Sequence, residues 1–124
     1  MTKNFDYIII GGGLAGLQLA LKFASDRFFE QKTFAIIDPS SKDANDKTWC
    51  FWEKGDGQWD HLITKSWDRG LFFSAEKKIE LNLSPYRYKM LRSIDLYKYA
   101  QNKLKELDNF TFIQDSVEKI DTAS

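Results

Sequence analysis

The chain has 124 residues, a formal net charge of +0, one cysteine and one histidine. That length supports one domain with a modest core, and the balanced charge gives no electrostatic case for nucleic acid binding. Cys50 alone excludes an internal disulfide and fits a reducing cytoplasm, and no apolar run approaches the length of a membrane span.

A strand is expected within a few residues of Met1, so the start carries no signal-peptide pattern. Tyr7-Ile8-Ile9-Ile10 reads as a buried-type strand, followed directly by Gly11-Gly12-Gly13-Leu14-Ala15-Gly16. Gly11, Gly13 and Gly16 fill the G-x-G-x-x-G frame of a dinucleotide-binding turn. Gly11 permits the tight turn, Gly13 leaves room for a pyrophosphate, and Gly16 lets the helix pack closely on the strand. Leu14 to Ala24 is apolar on nearly every side, as a helix in an α/β layer should be. Its unpaired N–H groups and positive dipole end would face the phosphates. A second β-rich run, Thr33 to Ile37, ends on Asp38, about 20 residues past the glycines, where a carboxylate can accept from ribose hydroxyls. With strand, helix and acid all in place, the motif favours a nucleotide over a phosphate-free turn.

Between them, Ser25 to Lys32 is polar apart from Phe28 and Phe29. Pro39 to Lys47 is a loop of breakers and turn formers, expected at the surface near the adenosine end of a bound nucleotide. Thr48-Trp49-Cys50-Phe51-Trp52-Glu53 is very apolar, and all four tryptophans lie between Trp49 and Trp67. The stretch around Trp59, Leu62, Ile63 and Trp67 has no clean period. Leu71 to Ala75 and Lys78 to Leu83 flank a charged turn and predict an antiparallel hairpin, closed by Pro85. Ser93 is the expected N-cap of an amphipathic helix, with Asp95 in its first turn and Leu96, Ala100, Leu104 and Leu107 on one face. Asn109 to Ile113 and Ser116 to Ile120 read as two strand segments or one bent strand.

The order β-α-β, hairpin, α-β predicts a parallel sheet with the last strand beside the first. Only three parallel strands are in sight, so residues 1–124 read as a truncated N-terminal portion of a larger protein. The fold class expected is α/β: a Rossmann-like FAD-binding βαβ domain with an inserted aromatic and hairpin segment at about 48–84. FAD and NAD share an ADP half. The roughly fifty residues between the second strand and the next helix exceed an ordinary connection and suit a flavoprotein of the glutathione-reductase-like type.

The glycine stretch Asp6 to Leu17, Ile37-Asp38, Lys47-Thr48-Trp49-Cys50-Phe51-Trp52 and the segment Tyr88 to Tyr97 together resemble the N-terminal part of bacterial lycopene β-cyclases. The resemblance covers essentially the whole chain and rests mainly on the Thr-Trp-Cys-Phe-Trp segment and its distance from Asp38. It implies FAD, used in reduced form with NAD(P)H as electron source and without net redox. The reaction implied is an intramolecular one, the cyclisation of linear lycopene ends to β-ionone rings through a carbocation. It further implies that Gly11, Gly13 and Gly16 form the pyrophosphate turn, with backbone N–H groups from Leu14 and Ala15. Asp38 would hold the ribose, Val117 would read adenine through its backbone, and Arg92 would approach the flavin phosphates or ribityl chain. The family's acidic catalytic motif has no match in this chain, so no catalytic residue is assigned and the fragment alone is expected to be inactive.

Plainer readings stand beside these. Trp49, Phe51 and Trp52 either line an isoprenoid channel, where aromatic faces attract cations, or form a core between sheet and hairpin. Arg92 is equally a solvated residue leading into the helix. Cys50 is expected as a small buried hydrophobe. His61 is expected exposed, and one His with one Cys gives no zinc site. Glu53, Asp56 and Asp60 read as a solvated face. An FAD-dependent monooxygenase or prenyl reductase shares the glycine turn and Asp38, and a non-catalytic nucleotide-binding module remains the reading from a different class. The expected location is cytoplasmic. A carotenoid substrate leaves peripheral contact with the inner membrane open, although no amphipathic anchor supports it.

Overall fold

The computed structural model describes residues 2–123. In chain order the elements are β1 (Tyr7–Ile10), α1 (Leu14–Ser25), β2 (Phe34–Asp38), β3 (Thr48–Lys54), β4 (Lys65–Trp67), β5 (Arg69–Phe73), β6 (Lys78–Asn82), β7 (Tyr86–Arg92), α2 (Ser93–Lys105) and β8 (Phe110–Gln114). Short 3-10 turns lie at Arg27–Phe29 and Asp60–Leu62. The fold is mixed α/β and divides into two compact units: the chain up to Ala44 together with the chain from Tyr97 on, and Asn45–Leu96. No helix among the described residues is long and apolar enough to cross a membrane.

The first unit is built on a parallel sheet with β2 at its centre, flanked by β1 and β8. Aromatic residues define its amino-terminal end. Tyr7, Phe34 and Phe110 sit in register across the three strands, with ring centroids 5.2 Å and 4.6 Å apart. Phe23 of α1 closes on Phe34 at 4.9 Å, so Phe34 has 0 % of its surface exposed. Offset stacking of this kind adds to plain area burial. Leu17 and Ala20 of α1 complete one side of the core, Ala100 and Leu104 of α2 are buried as the helical spacing predicts, and Tyr97, which that spacing does not single out, is buried as well. Leu107 falls beyond the end of α2 and is exposed.

The last strand lies beside β2 and not beside β1. Asn109 explains the choice. Its carbonyl accepts the Phe34 N–H at 2.8 Å, and its side-chain amide donates to the Lys32 carbonyl at 2.9 Å. With Phe110 stacked on Phe34, both polar and apolar contacts hold this strand to β2. The segment from Ser116 to Ile120 is not a strand. The ladder ends at Gln114, and Val117 and Ile120 are both exposed, so their alternation has no face to bury.

In the unit Asn45–Leu96, β7 lies between β3 and β4 in an antiparallel sheet, and β5 pairs with β6 as a two-stranded ribbon. The ribbon matches the expected hairpin. The sequence pattern reveals neither β4, in a stretch without a clean period, nor β7, where a charged residue, Lys89, occupies an inward position. The Lys89 side chain is 1 % exposed. Its ammonium donates to Glu53 Oε1 at 2.8 Å, Asp60 Oδ1 at 2.7 Å and the Gly55 carbonyl at 2.8 Å. Three acceptors saturate an ammonium group, which is the condition for burying one. Glu53 and Asp60 are therefore not a solvated face, since they hold the 55–60 turn to the sheet.

Ser93 does not cap α2 as expected. Its hydroxyl accepts the Lys47 N–H at 3.0 Å and donates to Asp46 Oδ1 at 2.9 Å, while Asn45 Oδ1 accepts the Ile94 N–H at 3.3 Å. The capping oxygen comes from a residue far back in the sequence, a contact that local pattern cannot reveal.

The Lys89 cluster sets a pH dependence. Burial pulls the Lys89 ammonium down, but its bonds to Asp60 and Glu53 outweigh that and raise it above its ordinary value. Asp60 is held below its ordinary 3.8 by the Lys89 hydrogen bond and the Gly57 N–H. A depressed carboxyl contributes stability that is present above its unfolded value and lost as pH falls through the folded one. Lys89→Met should lower the thermal midpoint on the order of 5 °C, and should flatten the loss of stability below about pH 4. Thermal scans of both proteins across acid pH check this, and equal acid slopes would remove Asp60 from the account.

Candidate functional site

All three parallel strands of the first unit end on one side, and β1 runs there into the glycine turn. Gly11 has φ +101°, a conformation closed to most side chains, and its N–H donates to the Ile37 carbonyl at 2.8 Å. Gly13 takes the N-cap position of α1 with no side chain bonded over the helix end, and no acidic residue lies in the first turn. The first N–H groups of a helix have no intrahelical partners, so this end presents donors and partial positive charge to whatever approaches it.

The glycines are required for different reasons. A Cβ on Gly16 would collide with the Gly11 carbonyl oxygen and press Ile9 Cγ2 at 3.3 Å, whereas a Cβ on Gly13 would meet nothing within 4 Å. Gly16 is thus demanded by the fold itself. Gly13 opens onto space that the protein does not use.

Asp38 closes the other side. Its side chain is 16 % exposed. Oδ2 accepts the Gly12 N–H at 2.8 Å and Oδ1 accepts the Ser40 N–H at 2.8 Å. The Lys42 ammonium lies 3.8 Å from Oδ2 and 5.4 Å from the centre of the Tyr97 ring. A cleft of about 220 Å³ opens beside the carboxylate, bounded by Gly12, Asp38, Lys42, Gln101, Lys105 and Gln114. The loop along it is fixed by Gln101, which donates to the Ser41 carbonyl at 3.4 Å, and by Gln114, which donates to Pro39 at 3.3 Å. Lys42, Gln101 and Lys105 were not foreseen. Nothing in a polar loop or on the outer turns of a helix distinguishes such residues before the chain is folded.

Gly11, Gly13, Leu14, Ala15, Gly16 and Asp38 therefore come together in one unit. Val117 follows β8 in that same unit, past Asp115, whose N–H donates to the Asp38 carbonyl at 3.1 Å. Arg92 belongs to the other unit, at the end of β7, where its guanidinium makes two bonds to Asp95, at 2.9 and 3.1 Å. This residue is engaged by its helix-leading neighbour.

Strand alternation splits the aromatic segment. Trp49 and Phe51 are half-buried and in register with Leu91 and Lys89 on the inner side of β7. Trp52 is 57 % exposed on the opposite side, in register with Tyr88 and through it with Trp67. The three rings form a row across the sheet with centroids 4.8 and 5.9 Å apart. Cys50 shares this side and is exposed, not buried as expected. Its position in β3 is two residues from Trp52, so the same alternation carries it outward. Its hydrogen bond raises the Tyr88 hydroxyl above the usual range. His61 is exposed, and no group of three or more His, Cys, Asp or Glu among the described residues could hold a metal ion.

The two glycines should separate on substitution. Gly16→Ala forces helix and strand apart and should destabilise the fold by about 1–3 kcal/mol, the usual cost of overpacking. Gly13→Val enters open space at an ordinary extended backbone conformation. Its thermal midpoint should stay near that of the unsubstituted protein while binding of an ADP-containing ligand is lost. Paired melting and equilibrium-binding measurements check both, and retained binding in Gly13→Val would take the phosphates away from this turn.

No curated protein matches the chain. A family model described as Lycopene cyclase protein matches residues 6–124, a span that includes the glycine turn, Asp38 and the aromatic strand, and the chain belongs to the lycopene cyclase family.

Proposed function

We propose that this chain supplies the FAD-binding front of a carotenoid cyclase that converts linear lycopene ends into β-ionone rings without net redox. The observation that carries the reading is the pairing of an open Gly13 with an Asp38 carboxylate bonded to the adjacent Gly12 N–H at 2.8 Å. The site fits an ADP half: uncapped helix donors for the phosphates, open space beside Gly13, and a carboxylate nearby for a ribose. Family membership supports a carotenoid as the substrate.

In this reading the N–H groups of Gly13, Leu14 and Ala15 hold the pyrophosphate, Asp38 accepts from the ribose hydroxyls, and backbone around Val117 meets the adenine. Reduced flavin, when bound with NAD(P)H as electron source, supports protonation of the linear carotene end. Arg92 would have to leave Asp95 before reaching a flavin. The row Trp52, Tyr88 and Trp67 offers π-faces to a long hydrocarbon and to positive charge developing on it. Trp49 and Phe51 serve packing.

Expression of the complete reading frame in lycopene-accumulating bacteria, followed by product chromatography, tests the activity. Conversion to a carotene with β-rings is the expected outcome. Unchanged lycopene beside soluble, flavin-loaded protein would overturn the cyclase reading and favour a redox flavoenzyme, for which substrate-driven NADPH oxidation is the measurement.

A further inference from the structure

Two consecutive N–H groups anchor the glycine turn to the end of β2. Gly11 N–H donates to the Ile37 carbonyl at 2.8 Å, and Gly12 N–H donates to Asp38 Oδ2 at 2.8 Å. The first is a backbone bond that any residue at position 37 would supply. The second depends on one side chain. Gly12 is buried, and a Cβ placed on it would stand 3.4 Å from Asp38 Cβ, so the two residues are packed as well as bonded. The next N–H groups along the chain, from Gly13 onward, open helix α1 and have no intrahelical partner.

We propose that Asp38 is a positioning residue for the phosphate turn and not only the ribose acceptor. The peptide carrying the Gly12 N–H is held by the carboxylate, and its orientation sets where the donors of Gly13 to Ala15 point. Because the acceptor is charged, this bond is stronger than a neutral one. The carboxylate is tied at its other oxygen by the Ser40 N–H, so it does not swing away when a ribose arrives. Each oxygen keeps a second lone pair for a hydroxyl donor. One side chain thus serves both halves of an ADP group: it binds the sugar directly and the phosphates through the backbone. The inference rests on the nucleotide reading above, and its test separates the two.

The experiment compares adenosine with ADP as probes, by calorimetry on the intact protein, in the unsubstituted form and in Asp38→Ala. A residue that touches only the ribose would weaken both ligands by the same factor. A residue that also positions the turn makes Asp38→Ala weaken ADP by about tenfold more than adenosine, the effect of losing one charge-assisted bond. Amide exchange without ligand gives a second readout: the Gly12 N–H should exchange faster in Asp38→Ala than in the unsubstituted protein. Equal loss for the two ligands in Asp38→Ala, or unchanged exchange at Gly12, would each overturn the positioning role and leave nucleotide binding intact. An unsubstituted protein that binds neither probe would overturn both.

Discussion

Helix α1 can lie against β1 only because residue 16 has no side chain. The Gly11 carbonyl oxygen occupies the volume that a Cβ at position 16 would need, so the turn, the strand end and the first helical residues are fitted to one another at backbone distance. From that contact follow the sharp reversal at Gly11, the direction of the helix axis and the placement of its uncapped donors. A side chain there would displace the whole turn, since the obstacle is backbone and not a flexible side chain.

Buried charge is handled in two ways in this protein. Asp38 is neutralised mainly by backbone donors, with Lys42 at a distance, and it ties together loops that face open space. Lys89 is neutralised by two carboxylates and a carbonyl and ties together loops that only shape the sheet. Among the described residues no buried side-chain nitrogen or oxygen lacks a partner, as the cost of an unmade hydrogen bond requires. The difference lies in what remains accessible: lone pairs beside a cleft in the first case, and a filled cage in the second.

What could be read from the residues follows how local each determinant is. The glycine spacing, the strand before it and Asp38 lie within forty residues and appeared at the expected positions. The β5–β6 hairpin was legible because its period-two pattern and turn are contiguous. Strand β7 was not, because Lys89 breaks the apolar alternation and is acceptable inside only when Glu53, Gly55 and Asp60 are brought to it. The partner of the last strand was missed because Asn109 chooses it through Lys32 and Phe34, contacts between residues far apart in the chain. The exposure of Cys50 and Trp52 is hidden for a related reason: an apolar strand fixes two faces but does not say which one is covered.

The distribution of aromatic residues has a spectroscopic consequence. Trp49, Trp52, Trp59 and Trp67 all fall within Asn45–Leu96, while the stacked rings of the parallel sheet are Tyr and Phe. Emission excited at the red edge of the absorption band therefore comes from the antiparallel unit alone. The glycine-turn unit is dark in that channel, so a single chain carries a built-in label for one of its halves.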